Sequence, residues 1–280
     1  MNPTHTYTLL AVHAHPDDES IGTGGILAKY SALGINTVVV YGTRGEAGGI
    51  INPDFVPSFP GMEITEIRKV ELEKALKILQ VGSVYFLGYR DSGMAGTPEN
   101  HHPQAFAQAD LEEATEKLVK IIRRTHPQVI VTYNEKGTYG HPDHIMANRL
   151  TQRAFEAAGD PHFNEGSGLP SWQPDKLYYT AISRTRLRMM VQLAKDRGEK
   201  LEFDPEVLGT PDEKITAQID IKEFLDQKFT AIFCHQSQFG PNSFFRRVPE
   251  EWRKEAFGHE HFECIKGCNN EKETDLFQGL

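Results

Sequence analysis

Two short stretches combine residue types that do chemistry together: His15-Pro16-Asp17-Asp18-Glu19 and His141-Pro142-Asp143-His144. Each lies just past an apolar run and just before a segment of helical pattern. Polar groups at the end of a buried strand cost free energy unless they are paired, so a cluster of them calls for a common partner. Two imidazoles and one carboxylate are the protein ligands of a catalytic zinc site that keeps a position open for water. His15 and Asp18, three residues apart, together with His144, supply that set. The same set is the facial triad of non-heme Fe(II) oxygenases, but an oxygenase has no need of the extra Asp17. Zn2+ is therefore the expected cofactor, and the same nitrogen and oxygen donors also accept Fe2+ or Co2+.

To bring residues 15–18 and 141–144 together, the chain must lay the ends of two strands side by side. Apolar, β-branched runs of strand length occur at Thr6–Val12, Ile35–Tyr41, Ser83–Gly88, Gln128–Tyr133 and Lys176–Ile182. Helical periodicity fills the intervals at Ser20–Leu33, Ile64–Gln80, Leu111–Arg124 and Asp143–Ala158. This alternation predicts an α/β fold, a Rossmann-like, mostly parallel sheet with helices on both faces. Such sheets carry their sites outside the carboxyl ends of the strands, where both His-Pro-Asp triplets fall. Pro16 and Pro142 suit the first turn of a helix, which would put Asp17 and Asp143 in first turns, where the helix dipole favours negative charge. Helix capping would account for one such triplet; two at equivalent points are better explained by a shared site. Residues 1–160 are expected to form the Rossmann-like catalytic core, ending in the Gly-, Pro- and Ser-rich segment Gly159–Pro174. Residues 161–280 are expected to form a C-terminal lobe that completes the sheet and the substrate pocket, with helical patterns at Arg184–Arg197 and Asp220–His235 and a loop at Gly240–Val248.

Composition narrows the partners. The net charge of −9 and the scattered basic residues argue against nucleic acid and favour a small molecule. No stretch approaches the roughly 20 apolar residues of a membrane span, and the first residues lack a basic region and a small-residue cleavage site. A cytoplasmic protein with no membrane partner is expected, and a homo-oligomer is compatible with it. Three cysteines, Cys234, Cys264 and Cys268, argue against a disulfide framework. His259, His261, Cys264 and Cys268 could be arranged around a second, structural metal, but their spacing is not standard and a plain surface segment is the simpler reading. His101 and His102 read as loop residues. The glycine-rich IGTGG, Ile21–Gly25, has no Walker lysine and enters a helix that already begins with acidic residues, so a phosphate cradle is not expected.

The motif AHPDDE with a glycine-containing helix start, followed by HPDH near residue 140, resembles the LmbE-like (PIG-L) family of zinc-dependent N-deacetylases. TRGE (Thr43–Glu46), Arg68 in EIRKVEL, LGYRDSGM (Leu87–Met94) and HQSQ (His235–Gln238) follow in the same order. The segment RDSGM and the terminal DLFQGL are most similar to the branch holding the mycothiol-pathway deacetylase and the mycothiol S-conjugate amidase. The chain departs from the amidase at IGTGG, where the lysine of that pattern is missing. The resemblance implies His15, Asp18 and His144 as metal ligands and Asp17 as the general base. His141 suits the oxyanion or the departing amine, which needs a proton, with Asp143 holding its imidazole and favouring the protonated form. Tyr139 matches a tyrosine that helps polarise the carbonyl. Arg44, Glu46, Arg68 and Asp91 match positions that contact the sugar or polyol; Met94 is expected to line the pocket or fill the core, and His235 to cap the site. Glu19 reads as helix capping or as support for its neighbours.

The expected function is that of a metal-dependent amide hydrolase that removes an acetyl group from a 2-acetamido sugar such as an N-acetylglucosaminyl conjugate. A thiol-conjugate amidase is the alternative within hydrolases, and a non-catalytic, metal-stabilised sugar-binding module the alternative outside them.

Overall fold

Along the first strand every side chain is buried, and successive residues enter opposite cores: Leu9 packs on one side of the sheet, Leu10 and Val12 on the other. That two-sided burial is what a parallel sheet sandwiched by helices requires. A computed structural model describes residues 7–163, 166, 168–196, 198, 200–201, 203–268 and 271–280. Its strands are β1 (Thr8–His13), β2 (Asn36–Tyr41), β3 (Ser83–Phe86), β4 (Val129–Thr132), β5 (Lys176–Ala181), β6 (Ala217–Asp220) and β7 (His259–Lys266). They form one sheet in the order β3-β2-β1-β4-β5-β7-β6. The first five are mutually parallel, and β7 runs antiparallel to both β5 and β6.

The helices are α1 (Gly24–Ala32), α2 (Ile64–Leu79), α3 (Leu111–Thr125), α4 (Gly137–Gly140), α5 (Pro142–Gly159), α6 (Arg184–Asp196), α7 (Pro205–Leu208), α8 (Leu225–Cys234), α9 (Phe244–Arg247) and α10 (Glu250–Phe257). Ile26 and Leu27 of α1, Leu79 of α2 and Phe229 of α8 pack with Leu9, Val39 and Val131 on one face. Leu118 and Ile122 of α3 and Leu150 of α5 pack with Leu10, Val38 and Ile130 on the other. Each such aliphatic side chain contributes about 1.5–3 kcal/mol by leaving water. Among the described residues no helix is long and apolar enough to cross a membrane.

The α/β sheet and its first five strands stand where the periodicity places them, within two residues at either end. Several local expectations are corrected. Pro16 and Asp17 lie in a turn before the helix, Asp17 having φ 116°, and a π-helical turn, Glu19–Thr23, precedes α1. Residues 240–248 contain the single turn α9, and α6 ends at Asp196, with Arg197 outside the described residues. The stretch around His259 is the strand β7, and Cys264 is joined to Cys268 as a disulfide with Cα atoms 5.6 Å apart. With both thiols consumed, the second metal group at His259, His261, Cys264 and Cys268 is not available.

β7 also bears on Gly25 of IGTGG. Glu260 sits under the start of α1 and accepts hydrogen bonds from the N–H groups of Gly25 (2.8 Å) and Ile26 (2.9 Å), and Lys228 of α8 is paired with the same carboxylate. The helix N-terminus is occupied by a protein carboxylate and not by a phosphate. A Cβ on Gly25 would stand 2.3 Å from Ile221 Cδ1 and 2.9 Å from Glu260 Oε1. Overpacking of this kind costs roughly 1–3 kcal/mol, so Gly25→Ala is expected to lower the unfolding free energy by about that amount in urea titration, with the slope unchanged.

Candidate metal centre

In a sheet of order 3-2-1-4-5, the connections leaving β1 and β4 diverge to opposite faces, which opens a crevice at their carboxyl ends. Residues 14–18 follow β1 there, and residues 133–144 follow β4. Pro142 opens α5, and His141 is its N-cap: Nδ1 accepts the N–H of Asp143 at 3.2 Å. His144 falls in the first turn of α5, with Tyr133 stacked on its ring at a centroid distance of 4.0 Å. The Tyr133 hydroxyl donates to Asp18 Oδ2 (2.7 Å) and accepts the N–H of Ala14 (2.8 Å), so one side chain ties the two loops together.

The expected trio is contiguous. Asp18 Oδ2 lies 3.3 Å from His15 Nδ1, and Asp18 Oδ1 lies 3.4 Å from His144 Nε2. Ring nitrogens of His15, His141 and His144 lie within 4.8 Å of one another. Both ring nitrogens of His144 are buried and make no hydrogen bond. Leaving such a group unsatisfied costs about 1–3 kcal/mol, and a bound cation removes that cost. The donor set, imidazole nitrogen and carboxylate oxygen, fits a divalent metal.

His15 is ringed by carboxylates. Its Nε2 donates to Asp143 Oδ2 at 3.1 Å and lies 3.5 Å from Asp91 Oδ1. Burial opposes the charged imidazolium, but the hydrogen bonds to Asp143, Asp18 and Asp91 outweigh it and raise the His15 pKa well above its ordinary value. Burial likewise opposes ionisation of Asp18, yet His144 and His15 hold its carboxyl well below the usual range. Asp91 is also lowered against the effect of burial, through His15 and the N–H of Gly93. Asp143 accepts from Ser92 through both the N–H (2.9 Å) and the hydroxyl. Its carboxylate therefore orients His15 and not, as expected, His141, which it meets through its backbone N–H. Burial and the neighbouring His15 and His144 bring the His141 pKa down to about 4, which favours the neutral ring. With Nδ1 occupied as an acceptor, the proton of the neutral ring sits on Nε2.

Asp17 is held in its left-handed conformation, which costs roughly 1–3 kcal/mol for a residue with a Cβ, by two buried partners, Arg68 and Glu19, the second backed by His235. Arg68 Nη2 donates to Asp17 Oδ2 (3.1 Å) and to the Pro16 carbonyl. Glu19 Oε2 accepts the N–H of Asp17 (2.9 Å), and His235 Nε2 contacts Glu19 Oε1 (3.0 Å). Gly45, at φ 76°, leaves room for this guanidinium, since a Cβ there would stand 2.2 Å from Arg68 Nη1. Burial pushes the Asp17 carboxyl up to about 6, against the pull of Arg68. Arg68 and His235 thus stand behind Asp17, in place of the sugar contact and the cap expected of them. Glu19 has the supporting part.

The remaining residues are more dispersed. Glu46 Oε2 accepts the N–H groups of Arg44 (3.2 Å) and Asp91 (3.0 Å). Arg44 is exposed, with its guanidinium 4.6 Å from the Phe86 ring centre. Met94 is 51% exposed and fills no core. Tyr139, on the kinked turn α4, is 55% exposed, faces His144 edge-on at 5.1 Å and lines a cavity of about 660 Å³ together with Asp17, Asp18 and His144. Sequence reasoning missed Tyr133 and Ser92. Their only signal was position: Tyr133 directly follows β4, and Ser92 sits inside the RDSGM segment.

A family model described as "PIG-L: GlcNAc-PI de-N-acetylase" matches residues 10–155. The chain is 39% identical to 1D-myo-inositol 2-acetamido-2-deoxy-alpha-D-glucopyranoside deacetylase 1 of Catenulispora acidiphila, over 100% of this chain and 91% of that one. It is 41% identical to the 1D-myo-inositol 2-acetamido-2-deoxy-alpha-D-glucopyranoside deacetylase of Thermomonospora curvata, over 97% and 96% respectively. Among solved structures it resembles N,N'-diacetylchitobiose deacetylase from Pyrococcus horikoshii, with a TM-score of 0.64 and 23% identity over 94% of this chain and 85% of that one, a likeness of fold.

Partners that orient a metal-binding imidazole typically account for 10–100-fold in metal affinity. Asp143→Ala, which removes the acceptor of His15 Nε2, is expected to weaken zinc binding by about that factor in a chelator competition assay.

Proposed function

Since the chain belongs to the PIG-L family of GlcNAc-PI de-N-acetylases, we propose that it hydrolyses the acetamide of an N-acetylglucosaminyl conjugate, with an inositol-like polyol as the favoured aglycone. The observation that carries this reading is the strained, buried Asp17 beside Asp18 and His144 on a single cavity. A binding module without turnover would have no use for such a carboxylate. His15, Asp18 and His144 would hold the cation, zinc in this reading, and a bound divalent ion supplies Lewis acidity that brings the pKa of a water near 7.

The chain's own groups do the rest. Asp17, with its carboxyl near 6, takes the proton of the attacking water as the carbon–oxygen bond forms. Neutral His141 donates from Nε2 to the developing oxyanion. As the carbon–nitrogen bond breaks, the proton held by Asp17 passes to the departing amine, and acetate and the free amino sugar result. Tyr139 stands at the cavity edge to polarise the carbonyl. Arg44, Glu46 and Met94 are the residues of the TRGE and RDSGM segments left to meet the polyol, while Asp91 serves His15.

The test is release of primary amine from N-acetylglucosamine and from its inositol conjugate, with Asp17→Asn beside the wild type. Loss of general acid–base catalysis is expected to lower kcat by about 10²–10⁴-fold, with metal content by elemental analysis unchanged. Equal turnover of the two substrates would remove the inositol preference. No amine from either, with zinc bound, would sink the deacetylase reading.

A further inference from the structure

The cavity does not end at the metal centre. It continues between α6, α9, α10 and β7, where Leu187, Met190, Phe203, Phe244, Phe245 and Phe257 make its wall apolar. Set into that wall are Arg186, Lys228, Glu260 and His261. Glu260 is already committed to the N–H groups of Gly25 and Ile26 and to Lys228. Arg186 is left with the carbonyl of His259, 2.9 Å from Nη1, while its Nε is buried and makes no hydrogen bond. It forms no ion pair among the described residues. His261 Nδ1, on the same cavity, is likewise buried and without a partner. The guanidinium, 5.9 Å from the Phe257 ring centre and only partly balanced by the charge of Glu260, acts on its neighbours: burial and then the charge of Arg186 bring His261 down to about 4, and burial, against the pull of Glu260, lowers Arg186 itself to about 10.

A half-buried cation whose nearby carboxylate, Glu260, is already held by three other donors still gains from a further opposite charge, because desolvation is expensive. The guanidinium stays charged and presents a planar fork matched to carboxylate or phosphate oxygens. We propose that Arg186, with His261 beside it, is an anion subsite, so that the favoured amino-sugar substrate carries a carboxylate or phosphate on an apolar arm lying along the phenylalanine wall. The inference rests on reading this cavity as the amino-sugar site.

Calorimetric titration of the zinc-loaded protein with phenylbutyrate, its neutral amide and phenyl phosphate tests it, on wild type, Arg186→Met and Arg186→Lys. A charged hydrogen bond out of water is expected to favour an acid over the amide by about 10–100-fold in wild type. The preference disappears in Arg186→Met and is partly kept in Arg186→Lys, and the tighter of the two acids tells carboxylate from phosphate. Removing a half-buried cation that forms no direct ion pair is also expected to raise the melting temperature of Arg186→Met. Equal affinity for acid and amide in wild type overturns the proposal. So does an acid preference that survives in Arg186→Met, which would place the anion on the metal, or survives with a lowered melting temperature, which would make Arg186 structural. Amine release from the neutral inositol conjugate keeps the two readings apart. Its absence alongside Arg186-dependent acid binding defeats the deacetylase and leaves the subsite, and the reverse pattern defeats the subsite alone.

Discussion

Asp18, Asp91 and Asp143 all lie within about 3.5 Å of one imidazole, that of His15, and all three side chains are largely withdrawn from water. Two like charges 4 Å apart repel by about 4 kcal/mol at an effective dielectric constant of 20, so the cluster persists only if positive charge and donors are brought to it. The protein brings the Tyr133 hydroxyl to Asp18, the Gly93 N–H to Asp91, and the N–H and hydroxyl of Ser92 to Asp143. What these donors leave over is negative charge facing the unpartnered nitrogens of His144. A divalent cation balances both at once.

That requirement explains why the loops come from the places they do. Only at the crevice between β1 and β4 can two connections be brought together without either crossing the sheet. Tyr133 spans the crevice from the β4 side to Asp18 on the β1 side, while Asn148 of α5 donates to the Tyr133 carbonyl and holds that strand end in place. The later strands β7 and β6 extend the sheet beyond β5, and Glu260 of β7 anchors the helix that follows the first His-Pro-Asp triplet. The C-terminal part of the chain thus bears on the same site from its second wall.

The five parallel strands and their helices were legible because burial on both faces leaves continuous apolar runs. β7 was not, because its buried Glu260 is satisfied by Lys228 and by the start of α1, partners more than thirty residues away in the sequence. A buried charge reads as surface until its counter-ion is known. The closeness of His15, Asp18 and His144 was legible from residue type and spacing, since donor chemistry restricts which residues could hold a cation. The contacts of Arg68, His235 and Asp143 were not legible for the opposite reason: a charged side chain that lies behind a carboxylate and one that meets a substrate have the same composition. They differ only in which way they face. Arg68 and His235 are buried behind Asp17 by contacts to Pro16 and Glu19 that no periodicity encodes.

Adjacent positions on the first loop show how one backbone turn separates two environments. Asp17 and Asp18 are the same residue type, next to each other, and their carboxyls are driven in opposite directions, the first up to about 6 and the second well below the usual range. The turn does this by aiming them apart. Asp18 faces His15 and His144, which favour its ionised form; Asp17 is buried, and Arg68 offsets only part of the cost of its charge. A carboxylate that stays charged suits a metal ligand, while one that binds and releases a proton near neutrality suits a base. The positive φ at Asp17 is what aims the two side chains apart, and Glu19, His235 and Arg68 are buried there to hold it.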